Sequence, residues 1–212
     1  LAIYLSSQEK PTILYFGDPM CSWCYGISPE LDAVKEHFRD KADFRIVLGG
    51  LRPYNTETMG DLKLFLTDHW KEVQRASGQP FRYEILDRSE MRYDTEPACR
   101  AVVTIREKYP DKAFEFFKGI QHAFYYENRD LSKIENYIDI LKSLEIDVDY
   151  FQRSFDSEEM KERVKRDFKM SSSMGIHGFP TLVLKTGNEY HLIANGYTSS
   201  ENMIERLNTL MK

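Results

Sequence analysis

The sequence Asp18-Pro19-Met20-Cys21-Ser22-Trp23-Cys24-Tyr25-Gly26 directly follows the apolar run Thr12-Ile13-Leu14-Tyr15-Phe16. The run is rich in β-branched and aromatic residues, which is typical of a buried β-strand. After the second cysteine, apolar residues recur every three or four positions and so share one face of a helix: Ile27, Leu31, Val34 and Phe38. The C-x-x-C pair is therefore predicted to lie where a strand ends and a helix begins.

This position favours thiol chemistry. Unpaired backbone N–H groups and the helix dipole stabilise negative charge at the start of a helix. A thiol in that field loses its proton more readily, and the thiolate is the reactive species. The pattern predicts that Cys21 and Cys24 form a redox-active pair.

Composition excludes several classes of protein. The 212 residues are 42% hydrophobic and 13% aromatic, which is enough for a sizeable core. The net charge is −5, and no basic block interleaved with aromatic residues occurs, so nucleic acid is not an expected partner. The apolar runs are far shorter than a membrane span requires, and we expect no membrane association.

The cysteine count and the first residues bear on the compartment. Three cysteines, Cys21, Cys24 and Cys99, are fewer than a small secreted scaffold stapled by disulfides would carry. The opening Leu1-Ala2-Ile3-Tyr4-Leu5 has no basic segment ahead of it and does not resemble a signal peptide as it stands. No starting Met is present, which agrees with removal of an upstream segment, and we expect a cytoplasmic protein.

The first fifty residues have the order strand, helix, strand. Strands are predicted at 10–16 and 44–48, with a helix from about 24 to 39 between them. A unit of this length has parallel strands and a right-handed connection.

The remainder divides into a helical part and a mixed part. Up to residue 156 the patterns predict a helix from Met59 to a break at 77–80, a helix from a start at 94–97 to Tyr109, and helices over 113–127 and 134–146. A further helix begins near Ser157, strands at 181–185 and 190–194 form a hairpin, and Ser199 or Ser200 caps a last helix.

The chain resembles the thioredoxin superfamily in three features: this order of elements, the C-x-x-C after the first strand, and Gly178-Phe179-Pro180-Thr181 before the hairpin. The pattern is most similar to its DsbA-like branch and, at residues 18–26, to FrnE-like proteins. The resemblance implies an α/β, thioredoxin-like fold with an inserted all-helical domain. Residues 1–50 and 157–212 would form the two parts of the thioredoxin-like domain, and 51–156 the insertion.

The resemblance also implies roles. Cys21 would be the exposed nucleophile, Cys24 the buried resolving thiol, and Pro180 the cis-proline that faces both sulfurs. The backbone of Phe179 would then be free to pair with an extended peptide. Protein or peptide thiols and disulfides are the expected partners, with glutathione as a candidate redox partner. No cofactor is expected beyond the Cys21–Cys24 disulfide.

The chain departs from the family pattern at two points. Ser22 and Trp23 separate the cysteines, without the His of strongly oxidising members, which predicts a less oxidising couple. The buried acid that assists proton transfer in the family falls at Tyr15, which puts that function in doubt. Asp18 is a candidate substitute for proton transfer, although an Asp before a Pro can simply start a turn.

Four other residues have two interpretations each. Trp23 and Tyr25 flank Cys24 and either bind substrate or pack against the insertion. His177 precedes Pro180 by three residues and either binds substrate or makes an ordinary loop hydrogen bond. Cys99 is either a small buried hydrophobe or a third redox thiol.

A metal site is not expected, because tetrahedral zinc needs four ligands and no second C-x-x-C occurs. An aromatic cluster at helical spacing is interpreted as core rather than as a peptide groove: Phe114, Phe116, Phe117, Phe124, Tyr125 and Tyr126.

The sequence predicts a thiol–disulfide oxidoreductase acting on proteins or peptides. One alternative is a glutathione-dependent enzyme of the 2-hydroxychromene-2-carboxylate isomerase or kappa transferase type. Such enzymes typically carry Ser at the position of Cys21, so retention of both cysteines argues against them. The other alternative is a non-enzymatic thioredoxin-like adaptor.

Overall fold

A four-stranded sheet forms the centre of the protein in a computed structural model that describes residues 10–212. Its strand order is β2-β1-β3-β4, where the strands span Thr12–Gly17 (β1), Asp43–Leu48 (β2), Thr181–Thr186 (β3) and Glu189–Asn195 (β4). β1 pairs in parallel with β2 and antiparallel with β3, and β3 pairs antiparallel with β4. The predicted parallel unit and the predicted hairpin are both confirmed.

The helices surround this sheet. They span Ser22–Gly26 (α1), Ser28–His37 (α2), Met59–Ser77 (α3), Glu96–Lys108 (α4), Ala113–Tyr125 (α5), Ile138–Ser143 (α6), Val148–Phe155 (α7), Glu158–Ser173 (α8) and Ser200–Leu210 (α9). Short 3₁₀ turns occur at Glu84–Asp87, Pro110–Lys112 and Ile134–Tyr137. None of the helices within residues 10–212 is long and apolar enough to cross a membrane.

The central strand β1 is buried on both faces. Ile13 and Tyr15 belong to the large core beneath the helices, while Leu14 and Phe16 belong to a smaller cluster on the opposite face. A strand covered on both sides has a continuous apolar sequence rather than an alternating one. This is why the run at 12–16 carries no polar residue other than its first.

Two predicted helices differ from the observed ones. The helix predicted at 24–39 consists of α1 and α2, which meet at Ile27, and Pro29 lies in the first turn of α2. The helix predicted at 134–146 is a 3₁₀ turn followed by the short α6, and α7 was not predicted as a separate helix. The chain leaves α6 through Glu145 in a left-handed conformation, with φ of 52°, so one continuous helix cannot form there.

One hydrophobic core joins the sheet to the helices between β2 and α8. It contains Tyr15 of β1, Trp70 of α3, Phe117 of α5 and Phe151 of α7. The aromatic cluster of α5 is buried apart from Tyr126, in agreement with its interpretation as core. Residues 1–9, which include the first part of the predicted 1–50 segment and the opening Leu1–Leu5, lie outside the described residues.

Candidate active site

The cysteine pair lies at the start of α1. Cys21 is the N-cap residue of this helix, and its carbonyl accepts a hydrogen bond from the Tyr25 N–H at 3.0 Å. Cys24 lies within the helix and is fully buried, and both thiols are unpaired. Cys21 is only 4% exposed, so its predicted exposure is wrong. Its sulfur turns inward, toward a loop from the other end of the chain.

That loop carries Pro180. The Phe179–Pro180 peptide bond is cis, as expected from the resemblance. The Cys21 thiol donates to the Phe179 carbonyl at 3.5 Å, although 158 residues separate the two in sequence. Within residues 10–212, the Phe179 N–H makes no hydrogen bond. The backbone beside Cys21 therefore retains a free donor, which an extended peptide needs for pairing.

Gly49 leaves room for the aromatic ring of Phe179. This glycine follows β2, and a Cβ added to it would lie 2.1 Å from two atoms of the Phe179 ring. Only a residue without a side chain fits at this distance. The Phe179 ring therefore lies directly against the backbone at the end of β2.

The environment of Cys24 favours its neutral thiol. Burial raises the pKa of the Cys24 thiol well above its usual value, and the hydrogen bond and charge of Cys21 raise it further. The Tyr15 hydroxyl and the Asp18 backbone N–H act in the opposite direction. Cys24 therefore needs help from its surroundings before it can react as a thiolate.

Tyr15 is the tyrosine whose hydroxyl acts on Cys24. The residue is fully buried, and its hydroxyl makes no hydrogen bond within the described part of the chain. Burial raises the pKa of Tyr15 well above 10.0, and Cys24 raises it further. The phenol is therefore protonated. The position at which the resemblance implies a buried acid therefore holds a neutral phenol.

Asp18 is a buried carboxylate with several partners. It accepts from the N–H groups of Met20 at 2.8 Å and Leu51 at 2.7 Å, and from the Cys99 thiol at 3.3 Å. The bond to Met20 is that of a turn-forming Asp, but full burial and the bond to Leu51 go beyond a simple turn. None of these hydrogen bonds reaches Cys24, so proton transfer by Asp18 stays a prediction.

Cys99 is the donor to Asp18 and is completely buried. Burial raises the pKa of the Cys99 thiol well above its usual value, and the Asp18 charge raises it further. The interpretation as a small buried residue fits this environment better than a third redox thiol. The pairing with Asp18 gave no sequence signal because 81 residues separate the two.

The two aromatic residues beside Cys24 have different environments. Tyr25 is buried, stacks on Tyr125 at 4.9 Å between ring centroids, and donates its hydroxyl to the Pro80 carbonyl. These contacts favour packing of Tyr25 against the helical segment over contact with a substrate. Trp23 is half-buried and lies at the surface next to Cys24.

Trp23 belongs to an aromatic surface strip that sequence reasoning missed. Its ring lies 6.1 Å from His69 and 5.7 Å from Tyr197, and His69 stacks on Phe65 at 5.5 Å. Phe65 is 57% exposed. The strip joins α1, α3 and the turn after β4, so no local pattern could have predicted it.

His177 is exposed and makes no hydrogen bond or ion pair with any residue of the range 10–212. It lines a cavity of about 370 Å³ together with Gly49, Phe168 and Phe179. The cavity adjoins the cis-proline loop, which keeps His177 a candidate for substrate contact. No group of three or more residues suited to hold a metal occurs in the part of the chain that the structure describes.

Comparison with known proteins gives one family match and several similar structures. A family described as thioredoxin matches residues 14–205. A provisionally named protein disulfide isomerase from Nitrosomonas europaea is 35% identical, with a TM-score of 0.89 over 96% of this chain and 98% of that one. The cytosolic disulfide reductase DsbM from Pseudomonas aeruginosa is 23% identical, with a TM-score of 0.79 over 94% and 98% of the chains. A second DsbM structure, with GSH, has a TM-score of 0.77.

These matches confirm the predicted thioredoxin-like fold of the DsbA-like branch. Among curated proteins, the ClpXP adapter protein SpxH from Bacillus subtilis is 19% identical over 82% of this chain. SpxH from Shouchella clausii is 21% identical over 85%. The alignments cover 58% and 60% of these two proteins, so the chain spans about three fifths of their length.

Proposed function

This chain belongs to the thioredoxin family, and from that premise we propose that it is a thiol–disulfide oxidoreductase acting through Cys21 and Cys24. The observation that carries the proposal is the contact between the Cys21 thiol and the carbonyl of Phe179, directly before cis-Pro180. An extended peptide bound at this backbone would present its sulfur to Cys21.

The reaction consists of two exchanges. The Cys21 thiolate attacks one sulfur of a substrate disulfide, forms a mixed disulfide and releases the other substrate sulfur as a thiolate. Cys24 then attacks the Cys21 sulfur, forms the Cys21–Cys24 bond and releases the second substrate sulfur. The substrate gains two electrons and the protein loses two, and every step is reversible.

Cysteine variants test this assignment. We expect Cys21→Ala to abolish exchange with a peptide disulfide, and Cys24→Ala to accumulate a mixed disulfide that mass spectrometry detects. Cys99→Ala leaves the pair intact and serves as the matched control. Full exchange activity in Cys21→Ala would overturn the assignment of the nucleophile.

The direction of electron flow depends on the reduction potential. With Ser22 and Trp23 between the cysteines, we expect a potential below the about −120 mV of the strongly oxidising DsbA. Equilibration against glutathione buffers measures it. A potential near that of thioredoxin, about −270 mV, would indicate a reductant, and one near −120 mV would contradict the expectation.

Glutathione is the redox partner that we propose, because the fold is shared with DsbM, which has been solved with GSH. The cytosolic location of that reductase likewise supports a cytoplasmic role here. Conjugation of glutathione that survives Cys21→Ala would indicate the transferase alternative instead.

An adaptor role is a second candidate, favoured by the match to SpxH. Leu64 and Phe65 of α3 are 85% and 57% exposed and provide an apolar surface for a partner. The double variant Cys21→Ala/Cys24→Ala separates the two functions. An oxidoreductase loses its cellular function in this variant, whereas an adaptor keeps it.

A further inference from the structure

The buried hydroxyl of Tyr15 does not stabilise the fold through a hydrogen bond to any described residue. The side chain is fully buried in the core, yet its hydroxyl completes no hydrogen bond within residues 10–212. Leaving a buried polar group unsatisfied costs about 1–3 kcal/mol. A phenylalanine would avoid this cost, so the hydroxyl needs another explanation.

Neighbouring residues fix the orientation of the Tyr15 side chain. Gly17 lies two residues further along β1, on the same face of the strand, and a Cβ there would lie 2.7 Å from the Tyr15 oxygen and 2.6 Å from Cζ. The phenol therefore lies across the bare backbone of Gly17. Phe114 and Phe117 meet its ring in edge-on contacts, with centroids 6.3 and 5.7 Å away. Three titratable groups lie close enough to act on this hydroxyl, Cys24, Cys21 and Asp18, and Cys24 acts on it most strongly. In the reduced protein the hydroxyl makes no hydrogen bond to any of them.

We propose that Tyr15 donates a hydrogen bond to the Cys24 thiolate in the resolving step, in place of a buried acid. This inference rests on the proposed function. The proposed hydrogen bond joins the hydroxyl to a reacting sulfur, so the proposal makes Tyr15 a catalytic residue in this step.

The proton balance defines what Tyr15 does. Cys24 loses its proton to water or to the departing substrate thiolate, and its electron pair forms the bond to the Cys21 sulfur. The Cys21–substrate bond breaks, and the substrate sulfur leaves with that electron pair. Tyr15 keeps its own proton throughout, because its pKa is far above neutrality. The phenol lowers the energy of the thiolate and does not serve as a base.

The absence of a Tyr15 hydrogen bond among the described residues of the reduced protein agrees with this role. A neutral thiol is a weak acceptor, whereas a thiolate accepts strongly. The groups that act most strongly on the pKa of Cys24 are the thiol of Cys21, the hydroxyl of Tyr15 and the backbone N–H of Asp18. Tyr15 is the side-chain donor among these that keeps its proton while Cys24 ionises.

The test measures the two exchanges separately in Tyr15→Phe. The reduced protein is mixed with excess oxidised glutathione, quenched with acid at intervals, and analysed by mass. We expect formation of the Cys21–glutathione mixed disulfide to be unchanged, and its resolution to slow about tenfold to a hundredfold, as for loss of a hydrogen bond to a charge. The mixed disulfide then accumulates.

Tyr125→Phe is the matched control. Its hydroxyl is also buried and unpartnered in the described part of the chain, but the titratable groups around it are Tyr93, Cys21 and Asp18 rather than Cys24. Resolution at the normal rate is expected in this variant. Equal resolution rates in Tyr15→Phe and the wild type would overturn the inference while leaving the proposed function intact.

A second measurement does not depend on turnover. In a Cys21→Ser background, the thiolate absorbance of Cys24 is titrated with Tyr or Phe at position 15. Loss of a donor to the charged form raises the pKa of Cys24, so the curve is expected to shift to higher pH. An unchanged curve would overturn the inference. If Cys24→Ser traps no mixed disulfide with glutathione or with a peptide disulfide, the proposed function itself fails.

Discussion

At the scale of single residues, the burial of Asp18 is expected to make the free energy of unfolding depend on pH. Its carboxylate is fully buried and accepts from two backbone N–H groups and the Cys99 thiol. Burial raises the pKa of Asp18 above its usual 3.8, although hydrogen bonds from Leu51 and Met20 oppose this shift. Desolvation is therefore the larger effect, and the carboxyl group binds its proton more tightly in the folded state than in the unfolded chain.

The sign of the pH dependence follows from this shift. An acid whose pKa is raised in the folded state contributes stability below its unfolded pKa, and this contribution is lost as the pH rises through the folded pKa. We expect the free energy of unfolding of the wild type, relative to Asp18→Asn, to fall above pH 3.8. The slope for one proton is at most about 1.4 kcal/mol per pH unit. Urea unfolding at a series of pH values measures it.

Asp61→Asn provides a control of opposite sign. Asp61 lies in the capping box of α3, and hydrogen bonds from Thr58 lower its pKa. Its contribution is present above the usual pKa and is lost as the pH falls. If Asp18→Asn gave the same sign as Asp61→Asn, the proposed dominance of burial at Asp18 would be wrong.

At the scale of elements, the end of β2 and the cis-proline loop are coupled through one contact. A Cβ at Gly49 would meet the Phe179 ring at 2.1 Å. We expect Gly49→Ala to destabilise the protein by about 1–3 kcal/mol through overpacking. Combined with Phe179→Ala, the substitution is expected to cost much less. A double-mutant cycle based on denaturant unfolding measures this coupling.

Gly178→Ala is the neighbouring control. The nearest atom to an added Cβ there is Asn195 Oδ1 at 3.7 Å, an ordinary contact. Its effect is expected to stay within about 0.5 kcal/mol. Additive costs for Gly49→Ala and Phe179→Ala would show that the two elements are independent.

The outer edge of β2 is closed by an ion pair between helices. Arg106 of α4 donates to the Ile46 carbonyl at 2.9 Å and to Asp167 of α8 at 2.6 Å, and Asp167 accepts from the Leu48 N–H at 2.8 Å. The pair therefore satisfies backbone groups that an edge strand otherwise leaves open. We expect Arg106→Ala to cost about 3 kcal/mol, because it leaves a largely buried carboxylate without its cation.

Thermal and denaturant unfolding measure this cost, with Arg39→Ala as the matched control. Arg39 pairs with Glu36 at the surface, where both side chains are about two-thirds exposed. Such pairs contribute about 0–1 kcal/mol. A loss in Arg106→Ala as small as that in Arg39→Ala would contradict the proposed role of the pair.

At the scale of the whole molecule, the sheet and the inserted helices share one core. Tyr15 of β1 contacts Phe117 of α5, and Tyr25 of α1 stacks on Tyr125 of α5. The segment that we propose as an insertion, 51–156, is therefore not expected to unfold by itself. We expect one cooperative unfolding transition.

The two tryptophans provide the test. Trp70 lies in α3 and is fully buried, and Trp23→Phe leaves it as the single tryptophan of the chain. Its fluorescence reports on the helical segment, while calorimetry reports on the whole protein. Coincident midpoints are expected, and two resolved transitions would show that the insertion is an independent unit.

Much of this organisation could be predicted from local patterns. The run at 12–16, the C-x-x-C and the hairpin near 181–194 were located correctly because strand propensity, helical spacing and turn residues act over a few positions. The division of the helix after Cys24 was not predicted. Pro29 marks it, because proline fits the first turn of a new helix, and α2 begins at Ser28.

The sequence by itself indicated which atoms we propose to react, since two thiols spaced by two residues at a strand–helix junction are typical of redox sites. Only the tertiary structure decided their surroundings. It buries Cys21, places Phe179 opposite it across 158 residues, and leaves the buried Tyr15 hydroxyl without a hydrogen bond in the described part of the chain. The physical reason is that burial and orientation depend on packing between distant segments, whereas periodicity and propensity act only along neighbouring residues.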